Sequence, residues 1–98
     1  MRLTAETTVF RALMQVEFFG IPRRKAARAT VCVTAGTVAQ ALQAVQCVCP
    51  QLTDLLEADG RLSRHYLASV DGREFVTDLQ YAFRAGERLL ILSADAGG

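Results

Sequence analysis

The sequence contains no tryptophan, two prolines and one histidine, and its positive and negative charges nearly cancel. With 11 Lys and Arg against 10 Asp and Glu, the net charge is +1, whereas proteins that coat nucleic acid are strongly basic. The longest apolar runs, such as residues 89–92, are far too short to span a bilayer. Residues 1–13 lack the continuous apolar stretch of a secretory signal. We therefore expect no nucleic-acid or membrane binding, and a cytoplasmic location.

The chain also offers little material for a metal or nucleotide site. Its three cysteines, Cys32, Cys47 and Cys49, form an odd set, which fits a reduced compartment better than a disulfide framework. One residue separates Cys47 from Cys49, unlike a CxxC pair, and His65 completes no familiar zinc set with them. A glycine-rich phosphate loop ending in GK[S/T] is absent from the sequence. We expect no metal site and no bound nucleotide.

The first half of the chain carries two different hydrophobic periods. Residues 14–19 and 29–35 alternate, which predicts two strands joined as a hairpin by a polar turn at residues 23–25. The residues expected to face the core are Met14, Val16, Phe18, Ala29, Val31, Val33 and Ala35. The residues expected on the other face are Gln15, Glu17, Phe19, Thr30, Cys32 and Thr34.

The period then changes to about 3.6 residues, which predicts a helix. The side chains that share its apolar face are Val38, Ala41, Leu42, Val45 and Cys49. Thr37 stands three residues before Gln40, the spacing of a capping box that starts a helix, and Pro50 ends it. The leucines within residues 52–56 predict one further helical turn, closed by Gly60.

The second half of the chain returns to extended structure. Strands are predicted at residues 65–70, 75–76 and 89–93, an extended segment at 79–83, and turns at 71–72 and 85–86. This element order predicts one small α+β domain. We divide the chain into an N-terminal extension (1–13), a domain (14–93) and a C-terminal tail (94–98).

The tail is the most informative segment for function. It consists of small residues and ends in Gly97-Gly98, so we expect it to be mobile and exposed. Glycines without Cβ atoms let a backbone thread a narrow channel in another protein. Adenylation by ATP would activate the terminal carboxylate, and sulfur replacing AMP would give a Gly98 thiocarboxylate. The alternative is that the two glycines are only a frayed end.

A series of short motifs, in this order, resembles the MoaD/ThiS family of ubiquitin-like sulfur carriers over residues 14–98. The matching segments are Val16-Glu17-Phe18-Phe19-Gly20 with Arg23, Gly36-Thr37-Val38, Ala41-Leu42, Pro50-Gln51-Leu52, Gly60-Arg61-Leu62, Val70-Asp71-Gly72, Leu79, Ala85-Gly86-Glu87 and Gly97-Gly98. The resemblance implies a β-grasp fold, with a mixed four- to five-stranded sheet packed on one main helix.

The resemblance also implies a function. A MoeB/ThiF-like activating enzyme, which binds the ATP, would adenylate Gly98, and its thiocarboxylate would donate sulfur to a synthase subunit. Gly97, Ala96 and Asp95 would thread the tail, and this chain would bind no stable cofactor. A MoaD-like role in molybdopterin synthesis, as small subunit of the synthase, is favoured, with thiamin and cysteine-type pathways as alternatives. The chain would be a protein co-substrate rather than an enzyme.

Some positions depart from the family pattern. Asp71 stands where the family often has Asn, and Glu87 where it often has Asp. Ser93-Ala94 replaces the proline pair that MoaD proteins usually carry before the tail, which weakens the link to molybdopterin synthase. Residues 1–13 have no family counterpart, and family members usually begin at the position of Met14, so one hypothesis is that translation starts there.

Three apolar residues, Phe19, Phe75 and Leu92, are our candidates for docking on partner enzymes. If they face outward they form an exposed apolar patch beside the tail, and such patches usually mark interaction sites. The alternatives are that both sheet faces are core, or that residues 1–13 cover the patch. Two other functions stay open: a ubiquitin-like modifier attached to lysines, and a β-grasp interaction domain that is never activated.

Overall fold

The computed structural model of the chain describes residues 11–94. Its elements, in chain order, are β1 (Ala12–Phe18), α1 (Ile21–Ala26), β2 (Thr30–Ala35), α2 (Val38–Val48), β3 (Tyr66–Val70), β4 (Glu74–Phe75) and β5 (Leu89–Ser93). Neither helix has the length and apolar content needed to cross a bilayer.

The strands form one five-stranded sheet in the order β2-β1-β5-β3-β4. The central pair, β1 and β5, is parallel, and the remaining pairs are antiparallel. The helix α2 follows the β1–β2 hairpin and packs on one face of the sheet. This arrangement is a β-grasp, so the predicted fold class is confirmed, with α1 as a second, short helix.

The core lies between α2 and the inner face of the sheet. The predicted apolar face of α2 is buried, and so are alternate residues of β1 and β2, as the two periods require. Ala29 is the exception: it is exposed, because it lies just before β2 where the chain returns from α1. Cys49 is buried and Cys32 is exposed, as expected.

The prediction of a polar turn at residues 23–25 was wrong, because these residues belong to α1. Pro22 lies in the first turn of this helix, where its fixed φ suits the helix and its missing N–H costs nothing. Ala27 adopts a left-handed conformation at the C-cap, and its N–H donates to the carbonyls of Arg23 and Arg24. A helix of six residues is too short to show a period of 3.6 in the sequence.

The further helical turn predicted at residues 52–56 was also wrong. The chain instead makes consecutive tight turns, in which Leu52 N–H donates to the Cys49 carbonyl and Leu55 N–H to the Leu52 carbonyl. Both leucines are fully buried in the hydrophobic core. Leucines at this spacing fall on the same side of the chain in consecutive turns and in a helix. The spacing therefore does not distinguish the two structures.

One strand boundary also needed correction. The first strand begins at Ala12 rather than Met14, because Ala12 and Leu13 pair with the end of β2. The segment at residues 79–83 forms one isolated bridge, between Ala82 and Thr37, and belongs to no strand. Its backbone also binds the start of α2, since the carbonyls of Leu79 and Tyr81 accept the N–H groups of Ala39 and Val38.

The predicted capping box at the start of α2 is present in a shifted form. The Thr37 hydroxyl accepts the Gln40 backbone N–H at 3.2 Å, and the Gln40 side-chain oxygen accepts the Gly36 N–H at 2.7 Å. These two bonds satisfy backbone donors at the helix start and tie α2 to the end of β2.

We expect Thr37→Ala to lower the free energy of unfolding by about 1 kcal/mol, because the variant loses the hydroxyl acceptor for the Gln40 N–H. Urea unfolding followed by circular dichroism measures the change. Thr37→Ser keeps the acceptor and is the matched control. Equal losses in the two variants would show that packing at this buried position, rather than capping, sets the effect.

Candidate functional site

The outer face of the sheet, opposite α2, carries a group of apolar side chains that we call the outer patch. Its members are Phe19, Leu67, Phe75, Leu90 and Leu92. The register explains the grouping, because Leu67 is opposite Leu92 and both Phe75 and Leu90 are opposite Ser69. The β1–β5 register, continued by one residue beyond Phe18, places Phe19 beside Leu92, and the Phe19 N–H donates to the Ile91 carbonyl at 3.0 Å.

The outer patch is open to solvent. Phe75 is 64% exposed, Phe19 40% and Leu67 37%, while Leu90 and Leu92 are half-buried by their neighbours. The structure thus brings together, on one face, the three residues that the sequence proposed for docking: Phe19, Phe75 and Leu92. Leu67 and Leu90 extend the group. Their use in docking stays a prediction.

The outer patch borders the start of the C-terminal tail. Strand β5 ends at Ser93, and the Ala94 N–H donates to the His65 carbonyl at 2.8 Å. Because β1 and β5 are parallel, this end of the sheet is also where Phe18 closes β1. The candidate tail residues Asp95, Ala96, Gly97 and Gly98 lie outside the described residues.

The other end of the patch is bordered by charges. Glu17, on the outer face of β1, binds the Arg88 guanidinium at 2.6 Å. The backbone N–H of Arg88 donates to the Asp71 carboxylate at 2.8 Å. Asp71 and Gly72 both have positive φ, 57° and 73°, in the tight turn between β3 and β4. The family often has Asn at Asp71, a residue that tolerates this conformation well, and Asp fills the same turn here.

Sequence reasoning missed the role of Glu87, which is buried although charged. Its carboxylate accepts the Tyr81 hydroxyl at 3.0 Å, the Arg84 N–H at 2.7 Å and an Arg73 guanidinium N–H at 3.3 Å. Glu87 therefore holds the loop before β5 in shape. The family resemblance at Ala85-Gly86-Glu87 was the only sequence signal for it.

A second polar cluster joins α1 to β3 near the tail. The Tyr66 hydroxyl donates to one Asp54 oxygen at 2.5 Å, and Lys25 binds the other at 3.1 Å. The Tyr66 hydroxyl is the main reason why the pKa of Asp54 lies below the ordinary 3.8; Lys25 adds to this, and partial burial opposes it. Burial and the Asp54 carboxylate together raise the pKa of Tyr66.

Four basic residues lie close together between β1 and β2, most of them on α1. Arg23, Arg24 and Lys25 occupy its last turn and are exposed, and Arg28 follows it. Of these four residues, only Lys25 forms an ion pair with another of residues 11–94, its partner being Asp54. In the same range, no group of three or more His, Cys, Asp or Glu side chains is placed to hold a metal ion.

Solved structures with a similar fold include several ubiquitin-like proteins. A crystal structure of small archaeal modifier protein 1 from Haloferax volcanii has a TM-score of 0.76 at 28% identity and covers 89% of this chain and 100% of its own. The BexX/CysO complex of Amycolatopsis orientalis contains a chain with a TM-score of 0.70 at 25% identity, covering 87% and 99%. The solution structure of small archaeal modifier protein 1 from Methanosarcina acetivorans, at 17% identity and a TM-score of 0.74, covers 90% and 98% and supports the fold alone.

No protein-family model matches the sequence, and neither does any curated protein. The resemblance to ubiquitin-like proteins of the MoaD/ThiS type is confirmed by the structural neighbours, which are small carriers and modifiers of this type.

The cluster of Tyr66, Asp54 and Lys25 yields a pH prediction. The Asp54 pKa is lower in the folded chain than in the unfolded chain, so its contribution to stability is present above about pH 4 and is lost as the pH falls through the folded pKa. Tyr66→Phe removes the main cause, so we expect the folded Asp54 pKa to rise toward 3.8. A carboxyl chemical-shift titration by NMR measures this.

Tyr81→Phe is the control, because the Tyr81 hydroxyl binds Glu87 and not Asp54. This variant should leave the Asp54 pKa unchanged. An Asp54 pKa that is indifferent to Tyr66→Phe would show that the hydroxyl does not govern it.

Proposed function

We propose that this chain is a sulfur carrier, whose C-terminal Gly98 is adenylated, converted to a thiocarboxylate and presented to a sulfur-accepting enzyme. The chain would act as a protein co-substrate in the cytoplasm and would hold no cofactor of its own. The observation that carries the proposal is the position of the outer patch, an exposed apolar surface on a β-grasp sheet, beside the strand end from which the Gly-Gly tail continues. The similarity to the CysO-containing structure supports it.

The chemistry needs two steps at one carboxylate. Gly98 attacks the α-phosphate of ATP, which gives an acyl adenylate and releases pyrophosphate. A sulfur nucleophile, supplied by a persulfide or sulfide donor, then displaces AMP. With a persulfide, an acyl disulfide forms first; a thiol attacks its outer sulfur, forms a new disulfide with it and releases the thiocarboxylate. The thiocarboxylate is ionised at neutral pH and is a good nucleophile. ATP would be bound by a MoeB/ThiF-like activating enzyme, because this sequence has no phosphate-binding loop.

The roles of the tail residues follow from their size. Gly97 gives the backbone freedom to enter a narrow channel, and Ala96 and Asp95 add reach without bulk. The outer patch would dock on the partner and hold the tail at the mouth of that channel. Docking through a separate surface lets one carrier use the same tail with an activating enzyme and then with an acceptor.

Among the pathways, we favour a MoaD-like role as small subunit of a molybdopterin synthase. The matching motifs through Ala85-Gly86-Glu87 support it, while Ser93-Ala94 in place of the proline pair argues for the alternatives, a thiamin-type or a cysteine-type acceptor.

A second candidate function is that of a ubiquitin-like modifier. It is favoured by the similarity to the Haloferax volcanii small archaeal modifier protein 1, which is 28% identical. Both functions begin with adenylation of the C-terminal glycine. They differ in the acceptor, which is a lysine amine for a modifier and a biosynthetic intermediate for a carrier.

The first test of the proposal is the intact mass after incubation with ATP, a sulfur donor and the activating enzyme of the host. We expect a mass increase equal to the replacement of one oxygen by sulfur, located in the C-terminal peptide. Deletion of Gly98 removes the reacting carboxylate from its position and should abolish the shift. Covalent adducts on lysines of other proteins, without a thiocarboxylate, would instead support the modifier.

The mass of this chain could stay unchanged although the activating enzyme is shown to adenylate a known carrier. That result would argue for the interaction-domain alternative. In that case deletion of Gly97 and Gly98 should have no effect in cells. If deleting Gly97 and Gly98 instead abolishes the cellular function of the protein while the mass stays unchanged, both the carrier and the never-activated interaction domain are excluded.

The outer patch gives a second prediction for the same reaction. Phe75→Ser removes an exposed aromatic side chain from the proposed docking surface, so we expect the KM for the carrier in the adenylation reaction to rise about tenfold or more, the range of a strong interface residue. Pyrophosphate release measures the rate. The free energy of unfolding should change little, because Phe75 is 64% exposed.

Leu13→Ser is the matched control. Leu13 is an apolar residue on the same face, 76% exposed, but it lies at the far end of β1 from the tail. We expect its KM to equal that of the unsubstituted chain. Equal effects of the two substitutions would mean that the outer patch is not the docking surface.

A further inference from the structure

Strand β2 forms one edge of the sheet, and its outer edge carries backbone groups with no partner in the described part of the chain. The register shows which groups these are. The Phe18 N–H donates to the Ala29 carbonyl at 2.8 Å, so Val31 and Val33, in phase with Ala29, also direct their backbone groups toward β1. The N–H and C=O groups of Thr30, Cys32 and Thr34 therefore point away from the sheet.

Among residues 11–94, this edge lacks the features that usually prevent strand pairing. Proteins protect edge strands with charged side chains, prolines, bulges or a covering element. The outward side chains here are Thr30, Cys32 and Thr34, all exposed and uncharged. The strand runs without interruption for six residues in register with β1.

The helix beside this edge is also uncharged. All eleven residues of α2 are apolar or amides. A shallow groove of about 410 Å³ lies between this helix and the edge of β2. Its lining includes Thr34, Ala39, Gln43, Ala44 and Cys47, with Arg11 at one end. Small and amide side chains therefore flank the free backbone groups.

From these observations we propose that β2 pairs with β2 of a second copy of this chain, antiparallel and about a two-fold axis at Cys32. The three residues with free backbone groups are spaced symmetrically around Cys32. Antiparallel pairing about that axis sets Cys32 opposite Cys32 of the second copy and Thr30 opposite Thr34, so every free N–H on the edge meets a carbonyl. The two sheets become one continuous ten-stranded sheet.

The absence of charge near the axis, with Arg11 only at the end of the groove, favours a second copy over another kind of partner. At a two-fold interface each surface meets itself, so a charge near the axis would meet the same charge. A strip of hydroxyl, thiol, amide and methyl groups is compatible with itself. This surface is separate from the outer patch and from the end of β5, so the inference goes beyond the proposed function and does not depend on it.

The first measurement is the oligomeric state of the whole chain by sedimentation equilibrium from micromolar to millimolar concentrations. We expect a monomer–dimer equilibrium, and hydrogen exchange should show that the amides of Thr30, Cys32 and Thr34 gain protection as the concentration rises. Cys32→Lys places two like charges at the axis and should weaken the dimer at least about tenfold. If that variant fails to fold, Thr34→Lys tests the same contact.

Gln15→Lys is the matched control. Gln15 is the neighbour of Cys32 on β1, exposed on the same face but one strand away from the edge. The Gln15→Lys substitution introduces the same positive charge as Cys32→Lys and should leave the dimer intact. A dimer weakened equally by both substitutions would point to general charge repulsion and would overturn the proposal.

Cys32 also allows a direct test of the register. The Cα atoms of a hydrogen-bonded antiparallel pair lie about 5.5 Å apart, within the range that a disulfide spans. A diazene oxidant takes two hydrogens from two thiols and leaves one disulfide. We expect it to join two copies through Cys32 in a Cys47→Ser variant, and to join few copies in a Cys32→Ser variant that retains Cys47.

Either of two results would overturn the proposal. One is a chain that stays monomeric at millimolar concentration. This includes the case in which the β2 amides are protected from hydrogen exchange only when another protein is added. The other is a dimer whose strength and exchange pattern do not change in Cys32→Lys.

Discussion

The parallel pairing of β1 with β5 is the constraint on which the rest of the molecule depends. It joins the first and last strands, Val16 to Leu89 and Phe18 to Ile91, at the centre of the sheet. Because a parallel pair needs a crossover, all of the intervening chain must leave one end of β1 and return at the other. The same pairing makes both strands finish at one end. The proximity of Phe19, Leu92 and the start of the tail is therefore a consequence of topology and not of any local contact.

The sequence predicted the parts of this fold in which one local rule operates alone. Alternation in β1 and β2 identified their two faces, because a period of two residues is fixed by the strand itself. The Thr37–Gln40 spacing located the start of α2 for a similar reason, since a cap is formed within one turn. The helix α1 and the turns at residues 52–56 could not be predicted in this way. Each is too short to express a period, and each is held by distant partners, such as Gln51 on the Ala26 carbonyl at 2.9 Å.

The candidate site shows the same division. Strand alternation alone placed Phe19 on the face opposite Phe18. What alternation could not show is the set of neighbours, because Leu67 joins Leu92 only after β3 has paired with β5. The buried carboxylate of Glu87 is a stronger case. Its partners Tyr81, Arg84 and Arg73 come from loops that converge only in the folded sheet, so a charged residue could be recognised as buried only from the structure.

A sheet covered by one main helix leaves its other face and its edge strands available, and the geometry of the free face and of the β2 edge makes two separate uses compatible. The outer patch lies across β1, β5, β3 and β4, whereas the free edge belongs to β2. Antiparallel pairing of two β2 strands keeps both outer patches on one side of the joined sheet. It also points the two copies of β5 in opposite directions. The two strand ends from which the tails continue would then lie at opposite ends of the assembly, where one partner enzyme on each patch would not obstruct the other.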